Sequence, residues 1–176
     1  ERIRDRNLVG FLRSLKERDW GAGKVLKEHD TRRAAALHAE VAEGLDTGAK
    51  AEPLVMWQGQ VLPGWIDYNG HMTESRYYFC NSETVDNFLR MIGAGMDYVA
   101  AGHSFYSAET HIRHLGEAKL GDQIRGELQI ISADEKRFRS FVRIMQGEDC
   151  VATVEQLCLH VDMKAGKTCP AAPEVL

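Results

Sequence analysis

Residues 63–95 read PGWIDYNGHMTESRYYFCNSETVDNFLRMIGAG, and the fold turns on how this stretch divides. Trp65 to Met72 mixes turn residues with aromatics and predicts a loop. From Thr73 the spacing becomes helical, with Tyr77, Tyr78, Asn81, Val85, Phe88, Leu89 and Ile92 along one side, and Gly93 and Gly95 predict the stop. This is the one long helix of its block, so a sheet beside it must use it as cover for an apolar face.

The flanking sequence supplies that sheet. Leu54–Val61 predicts a strand closed by Pro63-Gly64, and four more strands follow the helix. In Ser104–Leu115, Tyr106, Ala108 and Ile112 are expected on one face and Glu109, His111 and Arg113 on the other. In Gln123–Ile130, Ile124, Leu128 and Ile130 oppose Gln123, Arg125, Glu127 and Gln129, and further on Phe138, Val142 and Ile144 oppose Arg137, Arg139 and Arg143. Val151–Val161 is the last strand, and the turns between them are short and polar. The order gives an α+β fold in which a curved antiparallel sheet wraps around a central helix.

Residues 1–50 have a different character. Ile3, Leu8, Phe11, Leu12 and Leu15 predict an amphipathic helix ending at Trp20-Gly21-Ala22-Gly23, Lys24–Ala42 reads as a second helix, and Gly44–Pro53 reads as a linker. One exposed apolar stripe cannot form a core, so this helical appendage is expected to be the tail of a longer chain. A first residue of Glu1 in place of Met agrees with that expectation.

Composition narrows the function. At 176 residues, 44% apolar and 27% charged, the chain matches ordinary globular domains. No run approaches the roughly 20 apolar residues that span a bilayer, and no secretory leader is evident, which predicts a cytoplasmic protein with no membrane role. Residues 1–50 carry 11 Lys/Arg against 9 Asp/Glu and residues 51–176 carry 11 against 17, so the acidic main body argues against nucleic acid as a partner. Cys80, Cys150, Cys158 and Cys169 form no Cys-x-x-Cys pair and have no His at zinc-finger spacing, and they are expected to be reduced structural thiols with no metal site.

The residues most able to do chemistry lie in the loop before the helix. Asp67 precedes Thr73 by six residues, with Asn69, Gly70 and His71 between. A helix N-terminus leaves N–H groups unpaired and carries partial positive charge, so it can hold an oxyanion. A carboxylate beside it can attack a carbonyl carbon or deprotonate a water that does. Gly70 would allow close approach. Asp and Asn are also ordinary turn and capping residues, and His71 could be a half-buried ring bonded to a carbonyl.

The string Asp67, Gly70-His71, Arg76-Tyr77 resembles the signature of hotdog-fold thioesterases of the four-hydroxybenzoyl-CoA thioesterase-like branch. Leu115 to Asp122, with Ala118 and Gly121-Asp122, is similar to that family's second conserved stretch. The resemblance implies a hotdog fold and acyl-CoA thioester hydrolysis, with Asp67 as base or nucleophile. It implies an oxyanion site at the amides of His71, Met72 and Thr73 beside Gly70, no cofactor beyond the coenzyme A of the substrate, and a homodimer or higher homo-oligomer. Exposed sheet edges in a monomer favour assembly independently. Where the family commonly has two Asn, this sequence has Thr73 and Glu74, so a water-orienting role passes to the Thr73 hydroxyl or is absent.

The appendage carries a second resemblance. Arg4-Asp5-Arg6-Asn7-Leu8-Val9 and Lys16 to Gly23 are similar to the C-terminal end of L-carnitine dehydrogenases, some of which are fused to a C-terminal hotdog domain regarded as a betainyl-CoA thioesterase. The implied division is a dehydrogenase remnant over 1–30, a partly helical linker over 31–52, a hotdog domain over 53–165 and a tail over 166–176. NAD would belong to the upstream dehydrogenase. Betaine's quaternary ammonium cannot donate a hydrogen bond, so it calls for aromatic faces and carboxylates. Trp65, Tyr68, Asn69, Tyr77 and Glu109 are the expected substrate contacts, with Trp57, Tyr78, Phe79, Phe105 and Tyr106 as further aromatics that core packing would also explain. Arg137, Arg139 and Arg143 either meet CoA phosphates or form a solvated face. Two other readings stay open: an acyl-CoA hydratase on the same fold, and a non-catalytic module that binds CoA esters for the attached dehydrogenase.

Overall fold

The computed structural model describes residues 53–175. The helices and linker expected within residues 1–52 lie outside the described residues. In chain order come β1 (Leu54–Gln60), a 3-10 turn at Pro63–Trp65, α1 (Glu74–Met91), α2 (Met96–Ala100), β2 (His103–His114), β3 (Gln123–Asp134), β4 (Arg137–Gln146), β5 (Asp149–Asp162) and β6 (Lys167–Thr168). The strands form one sheet in the order β1-β3-β4-β5-β2, every pairing antiparallel, and β6 joins the end of β5. Among the described residues, no helix is long and apolar enough to cross a membrane.

Helix α1 exists because its apolar residues recur at i, i+3, i+4 and i+7, and it buries Tyr77, Cys80, Asn81, Thr84 and Val85. They pack with Leu128, Phe138, Val142, Ile144, Val154 and Cys158 of the sheet. Full burial of an aliphatic side chain of that size contributes roughly 1.5–3 kcal/mol. Tyr78, expected on the same side, is instead 40% exposed because it falls one residue past the stripe's centre. The helix ends as its glycines predict. Gly93 adopts φ +86 while its N–H donates to Arg90 O and the Ala94 N–H donates to Leu89 O, a Schellman closure.

The helix approaches the sheet tightly at Gly126, where an added Cβ would collide with Thr84 Oγ1. That hydroxyl cannot swing away freely, since it donates to Cys80 O at 2.7 Å. A buried polar chain crosses the same interface: Asn81 Nδ2 donates to Gln156 Oε1 at 3.1 Å, and Gln156 Nε2 donates to Ser107 Oγ at 2.8 Å. The burial of Cys80 and Cys158 pushes both thiols up to about 12, and all four cysteines are free.

Two face assignments need correction. A bulge between Ser107 and Glu109 shifts β2 by one residue. Phe105 and Ile112 therefore both pack on the core, while Tyr106, expected beside Ile112, is 51% exposed. The face turned from α1 is paired, not simply solvated. Glu127 receives Arg125 and Arg143, Glu155 receives Arg139, and Arg137 binds Asp134.

After Asp162 the chain keeps to the sheet. Beyond β6, the Cys169 N–H donates to His160 O and the Ala171 N–H to Glu135 O, and Ala171 and Val175 are buried.

Candidate active site

Asp67 stands in a short bridged turn. Ile66 and Met72 pair across it, the Asp67 N–H donates to His71 O at 3.0 Å, and the Gly70 N–H returns to Asp67 O at 3.1 Å. Gly70 closes the turn at φ +83, a conformation that strains any residue with a Cβ. Asp67 Oδ1 accepts the Asn69 N–H at 2.8 Å. One carboxylate oxygen thus builds an Asx turn and fixes the group, and Oδ2 has no hydrogen bond to another described residue. The turn-forming and chemical readings of Asp67 are compatible, because each uses a different oxygen.

The turn runs into α1 through Thr73, whose side chain does not cap the helix. Its hydroxyl instead points at Glu74 Oε2, 3.4 Å away. The expected oxyanion donors shift here. The Met72 N–H is already bonded to Ala118 O at 2.8 Å and the Thr73 N–H to Trp65 O at 2.9 Å. The Arg76 N–H folds back to Thr73 O at 3.0 Å. The N–H groups of Glu74 and Ser75, which open the helix, lack intrahelical acceptors and are the donors in position for an anion.

A second segment holds this junction in place. The Tyr77 hydroxyl accepts the Ala118 N–H at 3.0 Å and reaches Gly116 O at 3.4 Å, and the ring meets His114 edge-on at 5.0 Å. Tyr77 is 3% exposed, and burial raises its phenol above the ordinary value although the Ala118 bond opposes this. Tyr77, expected to bind substrate, is therefore a clamp: its hydroxyl is committed and its ring is core. His71 Nε2 lies 2.9 Å from Glu117 Oε2, joining the same two segments at the surface. Beyond Glu117 opens a concavity of ≈ 630 Å³ lined by His114, Leu115, Gly116, Glu117 and Lys119. Gly121-Asp122 ends the segment as a turn, with Gly121 at φ +88 and Asp122 Oδ2 accepting the Lys119 N–H.

The aromatic contacts divide. Trp65 packs edge-on against Phe79 at 5.4 Å, and the Arg76 guanidinium lies 5.7 Å from the Trp65 ring and 6.0 Å from that of Phe79. The protein already places its own cation on Trp65. Tyr68 is 98% exposed, so no cage closes around it within one chain. Glu109 pairs in register with Leu157 just after the β2 bulge. Arg137, Arg139 and Arg143 are each bound to a carboxylate.

Sequence reading missed the Arg76 stack and the Glu117 partner, although Arg76 and the stretch holding Glu117 were both in view. No spacing rule connects Arg76 to Trp65, because they meet only once the loop folds back on the first turn of α1.

Known proteins resemble this chain in sequence and in fold. The description "Thioesterase-like superfamily" matches residues 61–176. An "L-carnitine dehydrogenase/betainyl-CoA thioesterase" of Rhizobium meliloti is 48% identical over 182 residues, covering 100% of this chain and 36% of that one. The chain thus spans about a third of the length of such relatives. A "Betainyl-CoA thioesterase" of Pseudomonas aeruginosa is 30% identical over 129 residues, covering 72% of this chain and 81% of its own. Among solved structures, a hypothetical protein from Staphylococcus aureus in complex with CoA superposes with a TM-score of 0.67 at 21% identity, covering 70% of this chain and 80% of that one.

Proposed function

The chain belongs to the thioesterase-like superfamily, and from that premise we propose that it hydrolyses a small acyl-CoA thioester, betainyl-CoA, to betaine and free coenzyme A. The observation that carries the chemistry is Asp67, fixed through one oxygen by the Asn69 N–H in a turn that runs directly into the N-terminus of α1. Its other oxygen serves as the base for a water molecule or as the nucleophile itself. As the carbonyl carbon becomes tetrahedral, the oxyanion is received by the Glu74 and Ser75 N–H groups, where the helix dipole adds to the hydrogen bonds. Collapse of the intermediate expels the CoA thiolate, which takes up a proton to give free coenzyme A; on the nucleophilic route water then hydrolyses the mixed anhydride and frees the Asp67 carboxylate. No cofactor enters this sequence of steps.

The substrate is supported by the relatives' names and by the loop's aromatic character. Because Arg76 covers Trp65 and Tyr68 stands fully in solvent, the ammonium subsite requires a second copy of the chain. A homo-oligomer that pairs a sheet edge would also cover either Leu54 and Val55 on edge strand β1 or Tyr106 on edge strand β2. In the longer protein an upstream carnitine dehydrogenase would sit on the same chain, and the free thiols fit a cytoplasmic setting.

The test is steady-state hydrolysis of betainyl-CoA, acetyl-CoA and crotonyl-CoA. Preferred turnover of betainyl-CoA, with release of free thiol, is expected. Binding without turnover would favour the non-catalytic module, and hydration of crotonyl-CoA would favour a hydratase.

A further inference from the structure

Where β2 begins and β5 ends, three side chains with metal-binding atoms converge. The ligand atoms of His103, His160 and Cys169 all lie within 4.8 Å of one another. His103 comes from β2, remote in sequence, while His160 on β5 and Cys169 just after β6 are nine residues apart. Cys169 Sγ is 3.4 Å from His160 Nδ1. A nitrogen at about 2.0 Å and a sulfur at about 2.3 Å from one tetrahedral zinc would stand about 3.5 Å apart. The rings of His103 and His160 stack at 5.6 Å and 19°. His103 Nδ1 is buried without a hydrogen-bond partner, a state that costs free energy unless something fills it.

The surroundings are those a bound ion needs. The Cys169 N–H donates to His160 O at 3.2 Å and the His160 N–H to Lys136 O at 2.7 Å, so the backbone holds both ligands before any ion arrives. Tyr98 Oη lies 2.7 Å from His160 Nε2 and also receives the Ala172 N–H at 3.3 Å. A metal-bound histidine characteristically donates its other ring N–H to such an oxygen, which fixes the tautomer and ring plane. Without an ion, His160 Nδ1 bonds Cys169 O at 2.8 Å. With one, the ring proton sits on Nε2 and faces Tyr98.

We propose that His103, His160 and Cys169 form a three-ligand binding site for a borderline-soft divalent cation, zinc above all, which joins the C-terminal segment to the start of β2. Two imidazoles and one thiolate favour zinc over magnesium or calcium, whose ligands are oxygens. On binding, the Cys169 thiol loses its proton to solvent and a water molecule completes the fourth position. The site stands apart from the Asp67 loop and makes no claim on the hydrolytic reaction.

The test uses tag-free protein stripped with a chelator and titrated with Co²⁺ and then Zn²⁺. One equivalent of cobalt should bind with a thiolate-to-metal charge-transfer band, zinc should displace it, and the melting temperature should rise with zinc concentration. Cys169→Ser should abolish the band and weaken zinc binding by on the order of 100-fold. His103→Ala, at the half-buried start of β2, should weaken it similarly while sparing the thiol, which keeps the test decisive if Cys169→Ser does not fold. The proposal is overturned if the folded protein shows no saturable zinc binding up to about 100 µM, far weaker than structural zinc sites. It is equally overturned if both variants bind zinc as the wild type does.

Discussion

The loop from Trp65 to Thr73 and the segment from Leu115 to Asp122 touch each other, yet they are built on opposite principles. The first is half-buried, exposed only at Tyr68, Asn69 and Gly70, and it leaves a carboxylate oxygen and, at the helix it enters, two N–H groups available. The second uses its groups internally: Ala118 is fully buried, accepting the Met72 N–H and donating to Tyr77. On the proposed function, chemistry falls to the loop and geometry is supplied by the adjoining segment. If that division is right, substitutions on the two sides should separate activity from stability.

The largest effect is expected at Asp67. Asp67→Asn keeps the oxygen that accepts the Asn69 N–H but removes the charge, and turnover of betainyl-CoA should fall by about 10² or more while the melting temperature stays near wild type. Turnover within about threefold would remove Asp67 from the reaction. On the structural side, Gly126→Ala forces a methyl against the Thr84 hydroxyl and should destabilise by about 1–3 kcal/mol in chemical denaturation. An unchanged midpoint would mean that α1 can move off the sheet without cost.

Tyr77→Phe sharpens the comparison, because it leaves the ring and deletes only the clamp. It should cost about 1–2 kcal/mol through the orphaned Ala118 N–H and alter kcat more than KM, since only the placement of the helix N-terminus changes. Glu117→Gln is the smallest of the set. It breaks an exposed pair with His71 and should change stability by less than about 1 kcal/mol.

An alkaline titration tests the core as a whole. Cys80 and Cys158 have folded values of about 12 against an ordinary 9.0, so burial favours their neutral forms. Their contribution is complete below pH 9 and is lost as the pH rises towards 12, so the melting temperature should be flat near neutrality and fall above pH 9. Melts in Cys80→Ala should show a shallower decline.

Much of the fold was legible because α1 and the long strands carry their periods openly. Gln123–Ile130 and Phe138–Ile144 show their alternation in the sequence, and Leu128, Val142 and Ile144 are fully buried, although Ile130, expected with Ile124 and Leu128, is 38% exposed. Tyr106 was misplaced because a bulge at Ala108 is a backbone event that leaves no mark in residue type. The short α2 and β6 give too few residues for a period to register. In the site, Asp67, Gly70 and His71 stood out through turn chemistry and resemblance, whereas the loss of the Met72 and Thr73 amides to Ala118 and Trp65 depends on long-range pairing. The His103, His160 and Cys169 group was invisible because His103 reaches the other two only through the β2–β5 pairing, while β6 is too short to show that it returns Cys169 to His160.

The pairing of β5 on both edges sets an order of assembly. Its hairpin with β4 closes through a tight turn, with Gln146 opposite Asp149, so it can form within microseconds. Its other edge must wait for β2, whose partners, such as His103 and Asp162, are separated by most of the sheet's sequence. Loop closure over that span is slow relative to the hairpins. The β3–β4–β5 meander thus supplies the template, and β2 docks last, after α1 has covered the apolar face. Phi-values near 1 in the β4–β5 hairpin and near 0 in β2 are the kinetic signature of that order, and the reverse pattern would refute it.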